Sequence, residues 1–156
     1  ALVGSALGAQ PDAATGPIVA RCLAVTVSLA WAFIGIGFWI SASARTPERA
    51  TVLALLAWVV ASALHDFALI GALLRVRLPP EVVFVLAAAN PVESARIAVL
   101  SGVDPELSVL GPVGFWLANT LGPRLMLAVG VAWPALLGTL GLLAAERRLV
   151  SSDLVN

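Results

Sequence analysis

His65 and Asp66 are ionisable residues set side by side in a long apolar stretch of this chain. Charge in such a stretch is costly, so residues of this kind face a bundle interior, a partner group or a water-filled path. Asp66, and with it His65, therefore reads either as part of a translocation path or switchable helix contact, or as a group that hydrogen-bonds to a neighbouring helix or lies near the interface; packing is the commoner role. Consecutive helix positions point about 100° apart, so His65 and Asp66 cannot share one face. A second constellation is Asn90-Pro-Val-Glu93, followed by Arg96. It supplies an N-cap Asn, a proline at the first helical position and a Glu at the third. Glu93 and Arg96 are spaced to pair on one face of the helix that follows, as solvated pairs commonly do.

The remaining inventory excludes more than it offers. Cys22, His65 and Met126 are the only residues of their types and lie on separate segments, so neither a metal site nor an internal disulfide is expected. No glycine-rich phosphate loop is present, and no nucleophile with its base can be assembled, so the chain reads neither as an ATP-binding unit nor as an enzyme, and no cofactor is expected in it. The nine basic residues, all Arg, balance nine acidic ones, which leaves no cationic surplus to bind nucleic acid.

The elements that must position these residues are set by composition: 60% of the chain is hydrophobic and 12% charged, against roughly a quarter charged in a soluble domain. Cys22 to Ala44 contains no Asp, Glu, Arg or His. It exceeds the roughly 20 apolar residues that cross a hydrocarbon core about 30 Å thick. Arg21 is placed to snorkel at one end, and Phe38 and Trp39 suit the headgroup level at the other. Arg45-Thr-Pro-Glu-Arg49 reads as a polar turn with Pro47 opening the next helix, and a second span follows to about Leu74, antiparallel and adjacent to the first. A last span runs from about Leu125 to Ala145, contains Pro134, and ends at Glu146-Arg147-Arg148.

Residues 75–124 are too interrupted by proline and glycine for a simple span. Pro79-Pro80, Asn90-Pro91 and Asp104-Pro105 read as helix starts, and Gly102 and Gly122 as helix ends. Gly35, Gly37, Gly130, Gly138 and Gly141 permit close helix approach, while Trp31, Trp58 and Trp116 suit anchoring and packing. The expected fold is all-α: a polytopic membrane helix bundle of three full transmembrane helices, with short capped or re-entrant helices between the last two. Its segments are 1–8, the end of a truncated membrane helix; 9–20, a loop; 21–74, a helical pair; 75–124, the capped segment; and 125–156, the last span and its tail. Arginines flank both ends of the spans, so the positive-inside rule does not orient the chain.

At Asn90-Pro-Val-Glu-Ser-Ala-Arg96, Leu110-Gly-Pro-Val-Gly114, Arg147-Arg148 and Ser152-Asp-Leu154 the chain resembles permeases of the type 2 ATP-binding-cassette exporter family, in particular those of nitrous oxide reductase maturation, a copper-enzyme system. The resemblance extends over essentially the whole chain. It implies a multi-pass protein of the cell membrane, similar to the C-terminal half of a six-span permease, whose N-terminal half would carry the coupling element. It also implies ATP bound by separate ATPase subunits, a homodimer of full-length permease, lipid as surroundings, and an extracytoplasmic accessory protein. Asn90, Pro91, Glu93 and Arg96 would then lie in extracytoplasmic cap helices, Asp66 at a frequent acidic position of the preceding helix, and residues 45–49 and the C-terminus in the cytoplasm. The cargo implied is a sulfur species or another component for copper-site assembly.

Overall fold

The computed structural model describes residues 15–153, so the segment 1–8 and the first half of the loop expected over 9–20 lie outside the described residues. Helix α1 runs Thr15–Ser43. Residues 15–20, expected as loop, are therefore helical. Gly16 and Pro17 sit in the first turn, where backbone N–H groups have no intrahelical partner and a proline removes nothing.

After a three-residue break, α2 (Pro47–Val59) starts at Pro47 as the sequence predicts; Thr46 is its N-cap, and the Thr46 hydroxyl accepts a long hydrogen bond of 3.4 Å from the Arg49 N–H. A π-helical turn, Val60–Leu64, joins α2 to α3 (His65–Arg75) without breaking the rod. Helix α4 (Pro80–Ala89) turns through 115° into α5 (Pro91–Val103). A short 3-10 turn, Ser108–Leu110, leads to α6 (Gly111–Thr120), and α7 occupies Gly122–Asp153. No strand occurs among the described residues. Helix α7 continues through Glu146-Arg147-Arg148, so these charges lie on its last turns.

Among the described residues three helices are long and apolar enough to cross a membrane: Gly16–Ser43, Pro47–Arg75 and Gly122–Ser151, with mean hydropathy of 2.0, 2.0 and 1.9. They are compatible with a membrane protein. The sharply bent pair α4–α5 lies in the sequence between the last two of them, and it is the only such broken pair among the described residues.

The most extensive helix pairing is α1 with α7, rather than α1 with its sequence neighbour α2. Small residues explain the choice. A Cβ on Gly35 would collide with the backbone of Gly138, one on Gly138 with the Trp31 carbonyl, and one on Gly141 with the backbone of Gly35. Bare backbones approach closely there, and dispersion between them holds the pair together. The Ser28 hydroxyl donates to the Val131 carbonyl, and the Trp31 indole to Thr139 Oγ1 at 3.2 Å. Gly130 meets Ala98 and Ser94 of α5 in the same way, whereas Gly37, expected to belong to this set, has nothing within 4 Å. By contrast no residue of α2, the π turn or α3 is buried.

Two further sequence expectations change. Asp104 does not open a helix: its carboxylate accepts the Glu106 and Ser108 N–H groups at 3.2 and 2.8 Å and the Ser108 hydroxyl at 2.6 Å, closing a turn. The Ser108 hydroxyl, helped by these N–H groups, holds the carboxyl below its ordinary pKa. The chain then passes through Leu107, whose φ of 49° is unfavourable for a branched side chain and is held by its almost complete burial. Gly102 does not end α5. It lies inside the helix, where the missing Cβ admits the Arg21 side chain. Gly122, at φ 70°, does separate α6 from α7.

Candidate functional site

The π turn has a direct structural consequence. In an α-helix the His65 N–H would bond the Ala61 carbonyl; here it bonds Val60 instead, one residue further back. The Ala61 carbonyl is thereby released, and the Asn90 side-chain amide donates to it at 2.6 Å. The other end of the same amide caps α5, with Oδ1 accepting the Val92 N–H at 2.9 Å. Asn90 thus uses its donor and its acceptor at once, fastening the α4–α5 elbow to the irregular turn of the second long helix. The Trp133 indole holds the same elbow from α7 by donating 3.1 Å to the Ala89 carbonyl, one of the last acceptors of α4.

One helical turn further on, α3 and α5 share charge. Arg96 Nη1 and Nη2 both lie 3.4 Å from Asp66 Oδ2, and Nη1 lies 2.8 Å from Glu93 Oε1. The three side chains are 52%, 27% and 12% exposed for Arg96, Asp66 and Glu93, so Glu93 is the buried member rather than a solvated one. The Arg96 N–H groups are not aimed at Glu93 Oε1, which is buried and accepts no hydrogen bond. His65 diverges from Asp66, as consecutive helix positions require. It lines a shallow crevice with Ala61, Asn90 and Pro91, and its Nε2 is buried without a hydrogen bond.

The six residues singled out from sequence, His65, Asp66, Asn90, Pro91, Glu93 and Arg96, therefore gather at one junction between the second long helix and the elbow. Sequence reasoning missed Arg21 and Trp133. Arg21 does not snorkel outward: Nε donates to the Ala98 carbonyl at 2.6 Å, and Nη2 to Ser101 Oγ and the Pro123 carbonyl, both at 2.7 Å. It ties α1 to the end of α5 and the start of α7. No local signal distinguishes an arginine that snorkels from one that turns inward, because its partners lie 77 to 102 residues away. Among the described residues no three of His, Cys, Asp and Glu come together as a metal site, and Cys22 is a half-buried free thiol.

The double use of Asn90 gives a testable separation. Asp is as good an N-cap as Asn, but Asn90→Asp would set an oxygen against the Ala61 carbonyl and should destabilise the protein by about 1–3 kcal/mol. Thermal unfolding in detergent should place Asn90→Asp at or below Asn90→Ala. A variant as stable as the parent would mean the bond to Ala61 contributes nothing.

No protein-family model, curated protein or solved structure matches this chain.

Proposed function

We propose that this chain is a membrane-spanning permease component of an ATP-driven exporter, with ATP bound and hydrolysed by separate ATP-binding-cassette subunits. The observation that supports this most is the fastening of the bent α4–α5 pair to the π turn of the second long helix through Asn90 and the Asp66–Arg96–Glu93 cluster. An irregular helical turn, latched to an elbow by one amide and a loose ion pair, can pass movement between helix and elbow. π turns concentrate at such functional positions. In this reading the protein is a multi-pass protein of the cell membrane. Helices α4–α6 form an extracytoplasmic cap, residues 45–49 and the C-terminus face the cytoplasm, and the full-length permease is a homodimer working with an extracytoplasmic accessory protein. The cargo is a sulfur species or another component used in copper-enzyme maturation, as the family resemblance suggests.

Residues that couple two mobile elements change that coupling by about 0.5–2 kcal/mol when altered. Asp66→Asn in the full-length permease, co-purified with its ATPase, should therefore lower cargo-stimulated hydrolysis by about two- to thirtyfold with unchanged thermal stability. Hydrolysis that is insensitive to the substitution removes Asp66 from the mechanism. A second reading, a membrane anchor or assembly scaffold with no transport path, draws on the second long helix having no buried residue and so leaving most of its surface to a partner. It expects no cargo-stimulated hydrolysis in any preparation.

A further inference from the structure

A cavity of about 200 Å3 lies among α3, α4, α5 and α6, against the charged cluster. Its walls include Leu69 and Leu73 of α3, Phe84 of α4, Leu100 of α5, and Val113 and Leu117 of α6. Among the described residues, Glu93 and Arg96 are the only charged ones that reach it. We infer that this cavity is a binding site for a small lipophilic amine, with the protonated amino group on Glu93 and an apolar body among the leucines and Phe84.

Size and lining decide the apolar part. An apolar cavity of about 150 Å3 stays dry and takes up benzene, since water inside it would find too few polar partners. This cavity accommodates a body of that size with a short polar arm. Charge decides the head. The cluster sets two carboxyl groups, Asp66 and Glu93, against the single guanidinium of Arg96. Arg96 is half exposed and divides its guanidinium between the two carboxylates. Glu93 Oε1 is buried, lies beside Arg96 Nη1, and accepts no hydrogen bond. A donor entering from the cavity would complete that oxygen, whereas a carboxylate or phosphate head would bring it no donor and set a further acceptor against it. The assignment goes beyond the permease reading and does not depend on transport.

Calorimetric titration of the full-length protein in detergent, with 2-phenylethylamine and with 3-phenylpropionate as an acid of similar size, tests it without any transport assay. The amine should bind saturably, one per chain, and the acid at least about tenfold more weakly, the factor expected for a charge-assisted hydrogen bond. Glu93→Gln should weaken amine binding about tenfold, and Val113→Phe, which fills the cavity, should abolish it. If Val113→Phe lowers the thermal midpoint, Glu93→Gln and the amine-against-acid comparison still decide the question. Equal uptake of amine and acid, or amine binding untouched by Glu93→Gln, overturns the proposal and marks partition into detergent or a lipid tail in the cavity.

Discussion

Gly138→Val should separate the two most closely packed helices and give the largest loss of stability of any single substitution between α1 and α7. The first carbon of any side chain at 138 would overlap the backbone carbonyl of Trp31, and Gly35 and Gly141 press on the same contact. A flexible side chain could swing aside; a carbonyl can move only with its helix. Overpacking of a well-filled interface costs about 1–3 kcal/mol even where side chains can yield, so a backbone collision should reach or exceed the upper end. The Trp31–Thr139 and Ser28–Val131 hydrogen bonds span the same interface and would be strained with it. Thermal unfolding and protease resistance in detergent measure the effect. Gly37→Val provides the control, because nothing lies within 4 Å of a Cβ there, and it should behave as the parent does. Equal midpoints for the two variants would mean that α1 and α7 do not pack through these glycines.

The contrast between Gly37 and Gly138 also shows what the sequence could and could not reveal. Both are glycines in long apolar helices, and nothing within a few residues of either tells which one faces a neighbour. In water an apolar stripe would mark the buried side, but in these helices nearly every face is apolar and the marking is lost. The pairing of α1 with α7 is invisible for the same reason. Features that close over three or four residues were legible: the Asn90 cap, the prolines that open α2 and α5, the long apolar helices, and the break between α4 and α5. Asp104 shows where even local reading divides, because an Asp before Pro-x-Glu satisfies a tight turn as readily as a helix start. Here the turn prevails, with Ser108 supplying two donors to one carboxylate oxygen. The π turn had no signature in Val60–Leu64, since the bond that satisfies its released carbonyl comes from Asn90, 29 residues on. Candidate residues could therefore be picked by type, while their convergence on one junction could not.

Arg21 should prove harder to replace than its position near the end of an apolar helix suggests. An arginine that merely reaches the interface tolerates Lys or Gln, because water completes whatever hydrogen bonds it leaves. Here the guanidinium donates to three fixed acceptors, Ala98 O, Ser101 Oγ and Pro123 O, in directions set by its planar fork. The Ala98 carbonyl retains a second donor in Ser101 Oγ at 3.1 Å, so the sharpest loss falls on Ser101 and on the Pro123 carbonyl at the opening of α7. Each bond from a charged donor contributes about 1.5–3 kcal/mol when sheltered, and Arg21 is only half-buried, so Arg21→Met should cost about 2–4 kcal/mol in all. Arg21→Lys keeps the charge but offers one ammonium where two nitrogens are needed, and should recover less than half of that loss. Gly102 supplies an independent check. A Cβ there would meet the Arg21 Cδ at 2.6 Å, so Gly102→Ala should displace the same side chain and destabilise the parent, yet cost less in an Arg21→Ala background, where there is nothing to displace. Thermal midpoints of the two single variants and the double variant read this directly. Strict additivity would mean that Arg21 points away from α5, as a snorkelling residue would, and that the link between α1 and the elbow does not exist.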